Sequence, residues 1–314
     1  MSSALVIGEA LMDVVTTTPD GAPHIKRHPG GSPANVALGL ARLDVTTRLL
    51  TSLARDAFGR MIAAHLQDSG VSIVTESFGA ERTSSAVATI RPGGSADYDF
   101  DVVWQLPDGP AVPPADIVHT GSIAAFLQPG AEQVFQIIAS RPESLVSFDP
   151  NIRPSLVPDR ARVSAQFERF AGVSQVVKLS DEDASWLYPG RELDAVRHDL
   201  FDSGVQLVAV TLGAEGSMLS TREHSVSIAA LSGVQGDTIG AGDSYMAALL
   251  AGILKLPADS GGAEPAGAER LAGLRMHDLE SLARFAASAA AVTVSRNGAD
   301  LPHSADLAEF ARSI

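Results

Sequence analysis

Short, continuous apolar runs recur along the chain: Ala4-Leu5-Val6-Ile7, Ile117-Val118-His119, Leu145-Val146-Ser147-Phe148, Val176-Val177-Lys178-Leu179 and Leu207-Val208-Ala209-Val210. Runs of this length without polar alternation suit strands buried on both faces, as in a parallel sheet. Residues 133–139, 161–170, 181–187 and 192–202 read as helices between them. From about residue 115 the rhythm is therefore βαβ, a parallel sheet covered by helices and joined by right-handed crossovers. Earlier, 47–53 reads as a strand and 58–66 as a helix that Gly70 stops.

One region breaks the pattern. Residues 82–91 and 96–104 are two extended runs around Pro92-Gly93-Gly94-Ser95, predicted to form a hairpin. In the second run Tyr98, Phe100, Val102 and Trp104 alternate with Asp97, Asp99, Asp101 and Val103. A period of two gives one apolar and one mainly acidic face, so this run belongs to a small sheet outside the main one. Its apolar face would cover a ligand, pair with a second subunit or pack on its own domain. Residues 16–28 are polar, with a tight turn at Pro19-Asp20-Gly21, and 259–273 reads as a mobile insertion.

Two glycine-rich turns run into helical patterns. The first is Pro29-Gly30-Gly31-Ser32-Pro33-Ala34-Asn35, with Ser32 as candidate cap and Pro33 in the first turn. The second is Gly236-Asp237-Thr238-Ile239-Gly240-Ala241-Gly242-Asp243-Ser244, leading into an alanine-rich helix. A helix start collects free N–H groups and attracts anions. Asp243 sits where an anion would also bind, so it is either an ordinary cap or a carboxylate that takes a proton from a nucleophile beside a phosphate. Open α/β sheets bind ligands outside their strand C-terminal ends. Asp13 is thus a hydroxyl-binding carboxylate or a solvated loop acid. Asp149-Pro150-Asn151-Ile152-Arg153, Ser180-Asp181-Glu182-Asp183 and Thr211-Leu212-Gly213-Ala214-Glu215-Gly216 are further strand-end sets. The acids at 181–183 suit either magnesium or a helix dipole. Thr211 and Gly213 would touch phosphate or simply turn the chain.

Composition narrows the classes. Hydrophobic content of 45% and charged content of 19% fit a soluble globular protein with a large core. The net charge of -14 argues against a nucleic-acid partner but leaves nucleotides open. No segment approaches a membrane span and the first apolar run is only strand-sized, so neither a membrane partner nor a signal peptide is expected. Zero cysteines exclude disulfides and thiolate metal sites and fit a cytoplasmic protein. The eight histidines are scattered without zinc-ligand spacing.

In this order, the pieces resemble the ribokinase-like (PfkB) family of carbohydrate kinases from about residue 4 to the C-terminus. The stretches from Gly30 to Ala37 and from Asp237 to Asp243 look like its two signature regions. Asp56-Ala57-Phe58-Gly59, Asp149-Pro150-Asn151-Ile152-Arg153 and Arg296-Asn297-Gly298-Ala299 support the match. The resemblance implies one doubly wound α/β domain over 1–314, with a small β-sheet lid inserted at about 14–28 and 83–106. It implies transfer of a phosphoryl group from ATP to a sugar hydroxymethyl group. Asp243 would be the base, and Gly240, Ala241 and Gly242 the anion hole. Asp13, Gly30, Gly31, Asn35 and Arg153 would hold the sugar. Lys178, Ser180, Thr211, Gly213 and Gly216 would line the nucleotide path. Magnesium would be held near Asp183 through water, and a monovalent cation such as potassium near Asp237, Ile239, Thr293, Arg296 and Gly298. The family's Asn-x-x-Glu reads here as Ser180-Asp181-Glu182-Asp183, a departure that puts the metal-water geometry in question.

Ser32-Pro33-Ala34-Asn35 and the Asp149–Arg153 set look most like bacterial fructokinases, so fructose is the expected substrate. A 2-keto-3-deoxygluconate kinase shares the latter set but would want cations for a carboxylate, and 98–105 contain no Arg or Lys. Ribose is the other alternative. From a different class, a non-catalytic sugar- or nucleotide-binding protein would fit the same fold. The chain is expected to act as a monomer or as a homodimer joined through the lid.

Overall fold

A strand buried on both faces needs a helical layer on each side, and the continuous apolar runs are used in that way. The computed structural model describes residues 2–17, 24–90, 96–107, 109–231, 234, 236–256 and 267–313. Its first half contains β1 (Ser3–Ile7), β2 (Leu11–Thr17), β3 (His24–Gly30), α1 (Ser32–Arg42), β4 (Thr46–Leu50), α2 (Ala57–Asp68), β5 (Ser72–Ile73), β6 (Ser85–Ile90) and β7 (Ala96–Asp101). There follow β8 (Ile117–Gly121), α3 (Gly130–Ala139), β9 (Leu145–Asp149), α4 (Arg160–Ala171), β10 (Val176–Ser180), α5 (Asp181–Leu187), α6 (Leu193–Asp202) and β11 (Leu207–Thr211). The chain closes with β12 (Ser217–Ser220), β13 (Ser225–Ile228), α7 (Ala241–Lys255), α8 (Met276–Val294) and α9 (Ser304–Ser313).

The main sheet has the order β13-β12-β11-β10-β9-β8-β1-β4-β5. It is parallel except where β12 and β13 run antiparallel. Alternate residues of each strand enter different cores. Val6, Ile117, Leu145, Val176 and Leu207 pack with α1, α7 and α8, whereas Ile7, Val118, Val146, Val177 and Val208 pack with α3 to α6. The chain builds outward from β1 to β4 and β5, then crosses to β8 and builds the other way. The switch between β1 and β8 leaves a crevice at their C-terminal ends, the usual ligand position in such a sheet.

The smaller sheet has the order β3-β2-β6-β7, with β2 and β6 parallel and the outer pairs antiparallel. Here the structure corrects several expectations. Residues 16–28, read as polar loop, include the end of β2 and most of β3. Trp104 does not continue the lid face; it is buried in the main core, where its indole N–H donates to the Ala124 carbonyl (3.1 Å). Ser32 is not a cap, because Gly31 occupies that position and Ser32 is the first helical residue. The main sheet's antiparallel pair β12–β13 had no clear apolar signal, and β4 ends at Leu50 instead of running to 53. Within the expected insertion, Gly267–Leu271 forms a short 3-10 helix with Leu271 buried. The turns at Pro19-Asp20-Gly21 and Pro92-Gly93-Gly94-Ser95, and the insertion from 259 to 266, lie outside the described residues.

Candidate active site

The second glycine-rich turn becomes the start of α7. Gly240 takes the left-handed conformation (φ 77°), and a methyl group there would come 2.7 Å from the Ala299 side chain. Only glycine meets both conditions. The turn delivers Asp243 into the first helical turn, buried at 7% exposure. Its Oδ1 accepts from Ser32 Oγ (2.6 Å), and its Oδ2 accepts from Asn35 Nδ2 (2.8 Å). The two signature turns, more than 200 residues apart, are thus joined through one carboxylate. Gly31, with φ 103°, caps α1 against the Glu9 backbone and makes that approach fit.

Beside the α7 N-terminus stands a buried ion pair. Lys178 Nζ donates to Asp149 Oδ2 at 2.7 Å, with exposures of 5% and 1%. The same ammonium lies 3.3 Å from where a methyl on Gly242 would be. Burial alone would lower the Lys178 pKa, but Asp149, Asp183 and Asp243 outweigh it and hold the group charged. Burial pushes Asp149 up to about 6. Below them His119, bonded to Ser147 (3.0 Å), is kept neutral; burial, then Lys178, push its pKa down to about 3. The local field is therefore that of a cation and a helix N-terminus facing one pocket.

That pocket is a cavity of about 320 Å³. Asp13, Gly31, Asn35, Arg153, Lys178, Gly240, Gly242 and Asp243 all line it, so sugar, anion-hole and base candidates share one space. Gly30 sits behind it, against the Asp13 carboxylate. Burial raises Asp13 to about 6, against the opposing pull of His28 and Arg153. Arg153 is oriented by its own turn, donating to Asn151 Oδ1 at 2.6 Å. Ala241, expected as an anion-hole donor, does not line the cavity: its N–H is taken up within the turn by the Thr238 carbonyl (3.2 Å).

Other candidates lie beyond the cavity lining. Ser180 and Thr211 are register partners on β10 and β11, with Gly213 and Gly216 in the turn that follows. Asp183 is built into the backbone: Oδ1 accepts from Ile152 N (2.8 Å), and Oδ2 accepts from Ser180 N (3.0 Å) and Ser180 Oγ (2.7 Å). It thereby completes the capping box of α5, whose cap is Ser180, and pins the turn that carries Arg153. Asp237 accepts from Ile239 N and Gly298 N, both at 3.0 Å, bringing residues 237–239 against the Arg296–Gly298 turn near Thr293. Among the described residues no cluster of three acids or histidines forms a ready metal cage. Asp149 Oδ1 is buried without a partner, an oxygen donor of the kind magnesium takes.

Phe100, on the apolar face expected to cover a ligand, and Ser32, expected as a cap, line the cavity together with Glu9 and Ser122, which carried no assigned role. Glu9 lies two residues beyond the β1 end, and that position was the available signal. It is 3% exposed, its Oε2 accepts from Ala124 N (3.0 Å), and burial raises its pKa to about 7.

A family model described as pfkB family carbohydrate kinase matches residues 1–306. Fructokinase-1 of Zea mays is 31% identical, covering 96% of this chain and 95% of its own. Fructokinase-1 of Oryza sativa subsp. japonica is 30% identical, covering 95% and 94%. Among solved structures, a double mutant of the Vibrio cholerae O395 fructokinase, with fructose, ADP and potassium ion bound, superposes with a TM-score of 0.79. It is 27% identical and covers 99% of this chain and 98% of its own.

Proposed function

The chain belongs to the pfkB family of carbohydrate kinases, and we propose that it transfers the γ-phosphoryl group of ATP to the hydroxymethyl group of fructose. One observation carries this reading: Asp243, held by Ser32 and Asn35, shares a cavity with the Lys178 ammonium at the α7 N-terminus. Asp13, Gly31 and Asn35 hold the sugar, and Asp243 accepts the proton of its reacting hydroxyl as the phosphoryl group arrives. Lys178 and the α7 N-terminus bear the charge on the transferring oxygens. The adenosine side of ATP runs along Ser180, Thr211, Gly213 and Gly216. Asp149, through its unpartnered oxygen, and Asp183, through water, would hold magnesium, which would supply neutralisation of phosphate charge. The residues around Asp237 and Gly298 are the proposed seat of a monovalent cation. The smaller sheet of β2, β3, β6 and β7 acts as lid. Sugar and nucleotide are the proposed partners, in the cytoplasm.

Fructose is favoured over a sugar acid by the cavity's own charge. Asp13, Glu9 and Asp243 line it against two cations, Arg153 and the Lys178 ammonium that Asp149 already pairs. An ADP-release assay across fructose, ribose and 2-keto-3-deoxygluconate tests this. Turnover is expected with fructose, and turnover confined to the acid would overturn the assignment.

The raised acids set a pH dependence. Asp13 and Glu9 are weaker acids folded than unfolded, so the stability they contribute is fully present below ordinary carboxylate pKa values. It is lost as pH rises through about 6 for Asp13 and about 7 for Glu9. Sugar hydroxyls donating to an ionised Asp13 recover part of that loss. The value of kcat/KM for fructose is therefore expected to fall as pH drops through about 6. In Asp13→Asn that acidic limb should disappear, with kcat/KM lowered about 10- to 100-fold throughout. A pH-rate profile of both proteins checks this.

A further inference from the structure

Asp56-Ala57-Phe58-Gly59 takes no part in the cavity, yet its acid is fully engaged. Asp56 Oδ1 accepts from Gly59 N (2.7 Å), capping α2, and from Thr83 Oγ1 (2.8 Å). Its Oδ2 accepts from Thr83 N (2.9 Å). Burial would raise its pKa, but the hydrogen bonds from Gly59 and Thr83 prevail and lower it. Thr83 Oγ1 in turn accepts from Ala54 N (3.1 Å). A side chain at Gly59 would collide with the Ala54 carbonyl and come 2.9 Å from Thr83 Oγ1, so only glycine lets α2 approach this closely.

The next residue extends the contact to the rest of the smaller sheet. The Ser84 carbonyl accepts from Met12 N of β2 (3.0 Å). Its hydroxyl accepts from Val103 N (3.0 Å) and donates to Val103 O (3.1 Å), just beyond β7. Thr83 and Ser84, both 4% exposed, thus gather the roots of β2, β6 and β7 at one point. A short distance along the same strands, Leu11, Asp13, Ala86 and Phe100 form the lid wall of the sugar cavity.

We propose that the Asp56–Thr83 contact is the fixed pivot of the lid. Asp56 is a positioning residue: acting through Thr83, it holds three strands against α2 so that closure brings Asp13 and Phe100 onto the sugar in register with Asp243. This rests on reading the cavity as a sugar-kinase site. A loosened pivot leaves the closed lid leaky. Water then replaces the sugar hydroxyl as attacking nucleophile: its oxygen bonds the γ-phosphorus, its proton passes to Asp243, the bond from the γ-phosphorus to the β–γ bridging oxygen breaks, and ADP and inorganic phosphate leave.

Thr83→Val keeps the side-chain shape and removes both hydroxyl bonds, whereas Thr83→Ser keeps them. Sugar KM, ATP KM and the ratio of ADP released to sugar phosphate formed are measured for each. Thr83→Val is expected to raise sugar KM about tenfold, leave ATP KM within about twofold and release excess ADP, with Thr83→Ser restoring wild-type values. The ratio does not depend on the folded fraction, so lost stability cannot produce it. If Thr83→Val does not fold, Ser84→Ala, which opens the same point from the β7 side, is expected to show the same split. An unchanged ratio and sugar KM in a folded variant would overturn the pivot while leaving the kinase reading intact. Absence of sugar-dependent turnover in the wild type would overturn that reading itself.

Discussion

Replacing Asp243 by Asn is expected to lower kcat with fructose about 10³-fold, within the range measured for loss of a general base, while ATP and fructose still bind with near-normal affinity. The amide has the shape of the carboxylate and can still accept from Ser32, and Asn35 can turn its own amide to accept from the new NH2, so the junction between the two signature turns survives. What it lacks is basicity. The sugar hydroxyl must lose its proton as the new phosphorus–oxygen bond forms, and of the acids lining the cavity Asp243 is the one poised at the α7 N-terminus. Steady-state kinetics with calorimetric binding of both ligands tests it. A kcat within tenfold of wild type would remove Asp243 as the base.

Lys178→Met should have the second-largest effect, and on two observables at once. Its partner Asp149 is 1% exposed and would be left as an unpaired buried charge. Breaking such a pair costs about 3–5 kcal/mol, part of which protonation of the carboxylate recovers at low pH. Without the ammonium, the charge on the transferring phosphoryl group loses a fixed cation, worth on the order of 10²–10³ in kcat. Adding Asp149→Asn should restore much of the thermal stability and none of the rate. If the double variant recovers both, Lys178 serves the fold alone.

The parts legible in the sequence were those whose physics is local. Strands such as 176–179 announce themselves because a parallel strand is buried on both faces, and the turn at Gly240 because a helix start beside an acid needs a reason. The smaller sheet was half legible. The period-two run around Phe100 showed, whereas β3 did not, since residues 24–28 are exposed and carry no alternation. Trp104 followed the same period by number but left the strand for the main core.

The site divided along the same line. Asp243, Asn35 and Asp13 were readable from their positions at strand and helix ends. The bond from Ser32 to Asp243, the Lys178–Asp149 pair and the Asp56–Thr83 contact were not, because topology alone decides which distant ends meet. Asp183 shows the limit clearly. Its acidity was visible and its bond to Ser180 is a local capping box, but its engagement with Ile152 depends on how β9 and β10 lie side by side.

Phosphorus NMR of the wild-type protein with ATP, magnesium and fructose tests the central claim most directly. The expected result is one new phosphomonoester resonance, split by the protons of a hydroxymethyl carbon, growing in step with ADP. ADP accompanied only by inorganic phosphate, or fructose binding with no change in the spectrum, would contradict it.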